Sequence, residues 1–341
     1  MKLSDFDYEL PADLIAQYPL KDRAACRLMV LDRANRSIAL KTFDDITVYP
    51  GKNDLVVLND TRVMPARLFG RRKTGGKVEI FLLGKDGPVH EALVRPSGRL
   101  KEGEKITLES GHEAEILGQG EVGRLVSFGA PVEDILKECG HVPLPPYINR
   151  LDTPEDREDY QTIYARREGA TASPTAGLHF TKELLKRIGD RGAKIEYVTL
   201  HTSYGTFAPI KMTEVENHKM HREYFDLPAK TAAAVAETKE RGGRVFAVGT
   251  TATRVLEHCA LQTTDCRLKA RDLRGYTDLY IFPGFQFKIV DHLITNFHIP
   301  KSTLMLLVSA FAGREFILEA YRRAIGEGFR FFSYGDAMLI L

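Results

Sequence analysis

A chain of 341 residues is long enough for one large domain or two domains of ordinary size. Hydrophobic residues make up 43% of the chain and charged residues 28%, as in average globular proteins, which excludes a largely disordered chain. The net charge of +2 does not by itself indicate a nucleic-acid partner, so such a partner has to be sought in the local distribution of charge.

The N-terminus and the most apolar stretch indicate neither a secretory signal nor a membrane span. The opening sequence MKLSDFDYEL lacks a basic and then apolar pattern. The stretch from Thr303 to Ala312 is shorter than the roughly 20 apolar residues that cross a bilayer. The cysteines are scattered without a close CxxC pair, which is typical of reduced thiols, and we expect a cytoplasmic protein. They are Cys26, Cys139, Cys259 and Cys266.

The first half of the chain predicts strands. LMVLDR and DLVVLND, within the N-terminal 60 residues, are expected to belong to a main sheet. Short apolar runs separated by mostly glycine-containing turns follow between Ala66 and Phe128. Strands spaced about ten residues apart predict a small antiparallel β-barrel, which we place in an inserted domain of residues 66–149. The runs are RLFGRR, KVEIFLL, VHEALVRP, EKITLE, HEAEIL and GRLVSF.

From Glu155 onward, helical and strand patterns alternate. TKELLKRIGDRG predicts a helix with Thr181 as its N-cap and Gly192 at its end. The alternation predicts an α/β fold, a mixed or mostly parallel sheet covered by helices, formed by residues 1–65 and 150–341. The further strands are expected at KIEYVTLHT, RVFAVG, TDLYIF and KIVDHLITNF, and the further helices at AKTAAAVAETKERGG, TTATRVLEHCA and KSTLMLLVSAF.

A basic segment lies at the start of the predicted barrel. Between Thr61 and Val78 there is no acidic residue. Such a run can bind phosphates, although a solvated connection between two strands would carry the same charge. The basic residues are Arg62, Arg67, Arg71, Arg72, Lys73 and Lys77.

Polar residues collect where predicted strands end and helices begin, the place where free amides and the helix dipole favour anionic groups. In RVFAVGTTATRVLE, Gly249 precedes Thr250 and Thr251, whose two hydroxyls could hold a carboxylate or a ribose. Thr251 could instead be only an N-cap. In LITNFHIPKSTLMLLVSAF the crowded polar residues are Asn296, His298, Lys301, Ser302 and Thr303.

A third segment, SPTAGLHFTKELL, predicts a tight loop before a capped helix. Pro174 and Gly177 shape the loop, which carries Ser173, Thr175 and His179. A glycine here suits a close approach between the backbone and a ligand.

Histidines and a glutamate form a further group. His201 ends the strand YVTLHT, and His218 and His221 are followed by Glu223. These side chains could ligate zinc, but the spacing is not HExxH and no third ligand group stands out. We therefore predict no metal site and interpret the imidazoles as acid–base groups or hydrogen-bonding partners near neutral pH. The chain also lacks GxGxxG, GxxxxGK[ST] and GxSxG motifs.

Long strings of mixed chemistry extend along nearly the whole chain. They include FDYELPADLIAQYPLKDRAACRLMVLDR, LNDTRVMPARLFGRR, HVPLPPYINR, SPTAGLHFT, HKMHREYFDLP, VGTTATRVLE and TDLYIFPGFQFKIVDHLITNFHIPKSTLMLLVSAFAG. Together these strings resemble the S-adenosylmethionine:tRNA ribosyltransferase-isomerases of queuosine biosynthesis. One departure is that Thr202, Ser203 and Tyr204 precede the sequence GTF where the family has a valine and a glycine. We expect a backbone turn or a substrate contact to differ there.

The resemblance implies a specific reaction. Members of this family act on tRNA whose anticodon carries 7-aminomethyl-7-deazaguanine. They move the ribosyl portion of S-adenosylmethionine to the aminomethyl nitrogen, release adenine and methionine, and form epoxyqueuosine. S-adenosylmethionine is then a consumed co-substrate, and no bound cofactor is expected. We expect a monomer whose partners are this tRNA and S-adenosylmethionine, with no membrane association.

This reaction needs groups that titrate near neutral pH, because a C5′ proton must be removed and the leaving adenine benefits from a proton. The predicted catalytic pool is His179, His201, His218, His221, Glu223 and His298, without assignment of the base and the acid. The predicted substrate contacts are Asp60, Ser173, Thr175, Gly177, Gly249, Thr250, Thr251, Asn296, Lys301 and Ser302. The predicted tRNA contacts are the six basic residues from Arg62 to Lys77, with Arg322, Arg323 and Arg330 as secondary candidates.

Two alternatives from other classes remain at this point. A non-catalytic RNA-binding protein would use the barrel and the basic segment, but would not need the polar strand–helix junctions. A methyltransferase would use the same S-adenosylmethionine, but the glycine-rich loop that such enzymes usually carry is missing.

Overall fold

The computed structural model describes residues 1–84, 87–203, 210, 212–263, 268 and 270–341. Its strands are β1 (Arg27–Asp32), β2 (Ser37–Thr42), β3 (Leu55–Asn59), β4 (Thr61–Val63), β5 (Arg67–Arg72), β6 (Lys77–Leu82), β7 (His90–Arg95), β8 (Lys105–Leu108), β9 (Glu113–Gln119), β10 (Arg124–Phe128), β11 (Arg167–Ala170), β12 (Lys194–Leu200), β13 (Glu223–Leu227), β14 (Val245–Val248), β15 (Leu273–Thr277), β16 (His292–Asn296) and β17 (Ala337–Ile340). Its α-helices are α1 (Val132–Cys139), α2 (Asp156–Asp159), α3 (Lys182–Asp190), α4 (Ala229–Glu240), α5 (Gly249–Leu261), α6 (Thr303–Ala312) and α7 (Arg314–Gly326). Within these ranges no helix is both long enough and apolar enough to cross a membrane.

A nine-stranded mixed sheet forms the larger part of the molecule, in the order β15-β13-β12-β3-β14-β16-β17-β1-β2. The four strands β12, β3, β14 and β16 are parallel to one another. Val57 of β3 lies opposite Glu196 of β12 on one side and Ala247 of β14 on the other. The predicted mixed sheet is confirmed, and its four parallel strands bring their carboxyl ends to one edge.

The central strands are buried on both faces, which explains why their sequences are almost continuously apolar. Side chains alternate between the two faces along each strand. Leu55 and Val57 pack toward α4, α5, α6 and α7, whereas Val56 and Leu58 pack with Leu184 of α3 on the opposite face. The sheet is therefore a middle layer with helices on either side.

The predicted barrel is confirmed as a closed antiparallel barrel in the order β10-β7-β6-β5-β8-β9. Five of its six strands lie within runs predicted from the sequence, and β9 extends two residues beyond the run HEAEIL, to Gln119. Its interior is filled by alternate residues such as Leu68, Ile80 and Ile116, and Ile135 of α1 packs against the same core. The barrel interrupts the chain between β4 and α2, as an insertion would. The domain boundaries at residues 66 and 149 stay a proposal.

Two helix starts and one strand test the local predictions. Helix α3 begins as expected, since Thr181 Oγ1 accepts a hydrogen bond from Leu184 N at 3.2 Å. Thr251 is not an N-cap, because α5 already begins at Gly249. The strand predicted at TDLYIF is wrong: β15 ends at Thr277, where its ladder with β13 ends opposite Glu223, the first residue of that strand.

Candidate functional site

The parallel strands end in polar residues at one edge of the sheet. In open α/β sheets this carboxyl edge is where ligands bind. Strand β13 runs antiparallel to β12, so its first residue, Glu223, lies at the same edge. The residues that follow the parallel strands are Asp60 and Thr61 after β3, His201 to Ser203 after β12, Gly249 to Thr251 after β14, and Phe297 and His298 after β16.

A buried ion pair connects two of these segments. Glu223 Oε1 accepts a hydrogen bond from the backbone nitrogen of Ser203 at 2.8 Å, and Glu223 Oε2 pairs with Arg254 Nη1. The two side chains are only 1% and 6% exposed. Arg254 Nε donates to the carbonyl of Leu279 at 3.0 Å. Sequence reasoning missed Arg254. The available signal was its position three residues after Thr251, which places both side chains on one face of α5.

A small pocket lies between the first turns of α5 and α6. The Oγ1 atom of Thr251 and the Nη2 atom of Arg254 are buried there without a hydrogen-bond partner in the part of the chain that the structure describes. Gly249 opens the turn with a φ of 86°, in the left-handed region that favours glycine. The pocket is lined by Met220, Thr250, Thr251, Arg254, Leu279, Tyr280, Ile281, Thr303, Leu304 and Leu307.

The predicted histidine segment adjoins this pocket. Met220, which lines it, lies between His218 and His221 in the chain. The His218 ring packs edge-on against Tyr280 at a centroid distance of 5.3 Å. Burial, helped by the charge of His221, lowers the pKa of His218, whereas the His221 side chain is exposed. Among the described residues there is no group of three or more potential metal ligands.

His201 and Asp60 lie at neighbouring strand ends. His201 Nδ1 is 2.8 Å from Thr61 Oγ1, and its ring stacks on Tyr224 with 22° between the planes. A Cβ atom at Gly169 would lie 2.6 Å from His201 Nε2, so only glycine leaves room for this ring. Asp60 is buried, and its carboxylate accepts hydrogen bonds from Thr199 Oγ1 at 2.6 Å and from Arg166 Nε at 2.5 Å. Asp60 is therefore held in place by the protein itself.

Asn296 joins the second and third predicted segments. Its side-chain nitrogen lies 3.1 Å from His179 Nε2, and its oxygen accepts a hydrogen bond from Thr175 Oγ1 at 3.1 Å. Because an amide nitrogen only donates, His179 Nε2 is the acceptor and His179 Nδ1 carries the proton, 3.1 Å from Cys26 Sγ. The loop that carries Thr175 also approaches Gly249, since a Cβ there would lie 3.7 Å from Ala176.

His179 and His298 are both buried and lie on opposite faces of the sheet. His179 packs against Phe43 in the cluster that contains α3. His298 Nε2 is 2.8 Å from Thr295 Oγ1, and its backbone nitrogen donates to Tyr321 on α7. Burial lowers the pKa of each imidazole to about 3, with nearby arginines contributing at His179. Both rings are therefore neutral near pH 7.

The remaining predicted substrate contacts have structural partners or are enclosed. A Cβ at Gly177 would lie 2.1 Å from Tyr164 Oη, so the side chain that approaches this glycine is a tyrosine of the protein itself. Ser173 Oγ is buried without a hydrogen-bond partner among the described residues. Lys301 pairs with Asp7 at 2.7 Å, and Ser302 Oγ caps α6 by accepting from Met305 N at 3.2 Å.

The basic segment divides into paired and unpaired residues. Arg62, Arg67 and Arg72 form ion pairs with Glu158, Glu79 and Glu104 at 3.9, 3.1 and 2.5 Å. Arg71, Lys73 and Lys77 are exposed and have no ion-pair partner within the described ranges. A groove of about 660 Å³ on the barrel is lined by Phe69, Arg71, Lys77 and Arg95 together with other residues. Arg322 and Arg323 lie on α7, and Arg330 follows that helix.

Comparison with known proteins matches this architecture along its whole length. A family model described as "Queuosine biosynthesis protein" matches residues 3–340. The chain belongs to this family. It is 48% identical to the S-adenosylmethionine:tRNA ribosyltransferase-isomerase of Sulfurihydrogenibium sp. (strain YO3AOP1) and 50% identical to that of Syntrophotalea carbinolica, over 100% of both chains in each case. It is therefore an enzyme of the transferase and isomerase classes.

A solved structure supports the fold of this family member. The crystal structure of S-adenosylmethionine tRNA ribosyltransferase from Thermotoga maritima is similar with a TM-score of 0.58 and 38% identity, covering 99% of this chain and 100% of that one. The sequence departure at Tyr204 and the following GTF lie outside the described residues, and so does Cys266.

Proposed function

We propose that this enzyme transfers and isomerises the ribosyl moiety of S-adenosylmethionine onto 7-aminomethyl-7-deazaguanine in a tRNA anticodon. Epoxyqueuosine-tRNA is formed, and adenine and methionine are released. The observation that carries the proposal is the convergence of the strand-end segments at the carboxyl edge of the sheet, in a chain that matches the family from residue 3 to residue 340.

The reaction breaks the bond from carbon to the sulfonium sulfur, whose electron pair leaves with methionine, and the glycosidic bond, whose electron pair leaves with adenine. A bond to the aminomethyl nitrogen forms, and the ribose ring C–O bond is exchanged for the carbon–carbon and epoxide bonds of the isomerised product. The protons lost from C5′ and from the amine leave on adenine and to solvent. Proton transfers accompany these steps, so at least one side chain must change its protonation state near neutral pH. We assign this work to His201, His218 and His221, which lie at the edge of the sheet or beside the pocket. Glu223 acts through its pair with Arg254.

We assign positioning roles to His179 and His298, in place of the acid–base roles predicted from the sequence. A neutral imidazole whose pKa is near 3 does not donate a proton at pH 7. His179 instead orients Asn296, and His298 connects the end of β16 to α7 through Tyr321. Both fix the strand end from which Asn296 projects.

We also propose that the barrel binds the phosphate backbone of the tRNA. Arg71, Lys73 and Lys77 are exposed and form no ion pair with a carboxylate of the described residues, so they are available to pair with phosphates. Lys73 also lies near Glu113, whose pKa its charge helps to lower. Arg67 and Arg72, which are paired with glutamates, are expected to stabilise the barrel rather than to bind RNA directly.

The test is mass spectrometry of the modified nucleoside. The enzyme is incubated with tRNA carrying 7-aminomethyl-7-deazaguanine and with S-adenosylmethionine labelled with ¹³C in the ribose. We expect labelled epoxyqueuosine, together with one adenine and one methionine per modified base. The matched control is the same tRNA with guanine at that position. Methyl transfer to the tRNA, or tRNA binding without release of adenine, would overturn the proposal.

A further inference from the structure

The residues that line the pocket between the first turns of α5 and α6 include two with hydrogen-bonding groups that no other described residue satisfies. Arg254 is 95% buried, and its guanidinium nitrogen Nη2 has no hydrogen-bond partner among the residues that the structure describes. The same holds for the hydroxyl of Thr251, a residue that is 8% exposed. Leaving a buried polar group without a hydrogen bond costs about 1–3 kcal/mol, and more for a charged group. Two such groups on residues that line one pocket are consistent with a ligand that accepts hydrogen bonds there.

The electrostatics of the pocket favour an anion of modest charge. The charge of Arg254 is balanced by Glu223, so the pair itself is neutral. Thr250 and Thr251 belong to the first turn of α5, and Thr303 and Leu304 to the first turn of α6. The amides of a first turn lack intrahelical acceptors, and each helix N-terminus carries roughly half a positive charge. The two ends together suit a group with one negative charge.

We propose that this pocket binds the α-carboxylate of the methionyl part of S-adenosylmethionine, with Arg254 Nη2 and Thr251 Oγ1 as donors. The inference rests on the proposed function and specifies which end of the substrate lies here. Glu223 is a positioning residue, because its carboxylate binds Arg254 Nη1. The carbonyl of Leu279 accepts from Arg254 Nε, so that Arg254 Nη2 is the nitrogen left for the ligand.

The rest of the pocket wall fits the same part of the substrate. Leu279, Ile281 and Leu307 are apolar, and Met220 brings a thioether from the segment between His218 and His221. Such a wall suits the methylene groups that connect the carboxylate to the sulfonium. A nucleic-acid phosphate would leave this apolar surface unused, so we commit to the carboxylate.

The experiment compares binding of S-adenosylmethionine and decarboxylated S-adenosylmethionine by isothermal titration calorimetry, with and without tRNA. The wild-type protein should bind the decarboxylated compound about 10- to 100-fold more weakly, the range for loss of a hydrogen bond to a charged group. Thr251→Val and Arg254→Lys should weaken binding of S-adenosylmethionine and leave binding of the decarboxylated compound nearly unchanged. A general disturbance of the fold would weaken both ligands alike.

Thr238→Val is the matched control. Thr238 is buried on α4 and lies with Asn53 and Lys194 at the opposite edge of the sheet, so this variant should bind both ligands as the wild type does. Equal affinity of the wild type for the two ligands would overturn the inference, as would equal losses for both ligands in Thr251→Val. The ligand comparison in the wild type decides the question even if Arg254→Lys does not fold.

The outcomes also separate this inference from the proposed function. Epoxyqueuosine formation with undiminished use of the decarboxylated compound would refute the carboxylate site alone. Discrimination between the two ligands without any epoxyqueuosine would refute the proposed function alone.

Discussion

His179 and His298 should make the folded state sensitive to mild acid. Burial lowers the pKa of both imidazoles to about 3, whereas an unfolded histidine has a pKa of about 6.5. Between these values the unfolded chain binds a proton that the folded chain does not bind. The stabilisation is therefore complete well above pH 6.5 and decreases as the pH falls through that value toward the folded pKa.

The size of this effect follows from the fraction of unfolded histidine that is protonated. Between pH 6.5 and 5.5 that fraction rises from about one half to about nine tenths, while the buried rings stay neutral. Each histidine then lowers the free energy of unfolding by about 1 kcal/mol over this interval, and the two together by about 2 kcal/mol. That is a large part of the 5–15 kcal/mol by which a typical domain is stable.

The assay is urea denaturation followed by circular dichroism across this pH interval. His298→Gln should reduce the loss of stability by about 1 kcal/mol, because glutamine does not titrate. Thr295→Val removes the hydroxyl bonded to His298 Nε2 but keeps the imidazole, so it should lower stability at every pH and keep the full pH dependence. A His298→Gln protein with the pH dependence of the wild type would refute the reasoning and return His298 to the acid–base candidates.

Three further substitutions test the packing of the site and the barrel surface. Gly249→Ala should lower the free energy of unfolding by about 1–2 kcal/mol, because its φ of 86° is unfavourable for alanine, and calorimetry should show weaker binding of S-adenosylmethionine. The control is Gly326→Ala, whose added methyl group would have no atom of the described residues within 4 Å. Gly177→Ala places a methyl group 2.1 Å from Tyr164 Oη and 2.8 Å from Thr162 Cγ2, and should destabilise by about 1–3 kcal/mol in urea denaturation. Adding Tyr164→Phe should recover only part of this loss, because the contact with Thr162 stays; no recovery would mean that the tyrosine hydroxyl is not responsible. Arg71→Glu combined with Lys77→Glu should weaken tRNA binding and reduce the slope of log affinity against log salt concentration by about one per lost phosphate contact. Arg72→Gln should instead mainly reduce the stability of the protein, because it loses the ion pair with Glu104. An unchanged slope in the double variant would remove this surface from the tRNA interface.

Much of the fold could be predicted because its signals are local. The barrel strands are separated by glycine-containing turns, and α3 has its cap at Thr181 and its end near Gly192. The central strands could be recognised as buried because both of their faces are apolar. Strand β17, by contrast, takes its place between β16 and β1 through pairing with residues far away in the chain, and a short apolar run does not encode that position.

The sequence predicted which types of residue form the candidate site better than it predicted the role of each residue. Sequence placed Gly249, Thr250 and Thr251 at a strand–helix junction, and they lie there. It did not reveal that His179 and His298 are enclosed by Phe43 and Tyr321, because burial of a polar side chain depends on distant elements. Arg254 looked like an ordinary helix residue, since its importance depends on Glu223, which is 31 positions earlier.

The chain enters and leaves the barrel at a single place. Arg67 and His141 exchange backbone hydrogen bonds of 3.2 and 2.8 Å, so the two connections to the sheet run side by side. The segment between Arg67 and His141 therefore begins and ends at the same place. Its length does not change the distance between the two parts of the chain that it connects. A barrel of another size could replace this one between Arg67 and His141, during evolution or by design, while the sheet keeps its geometry.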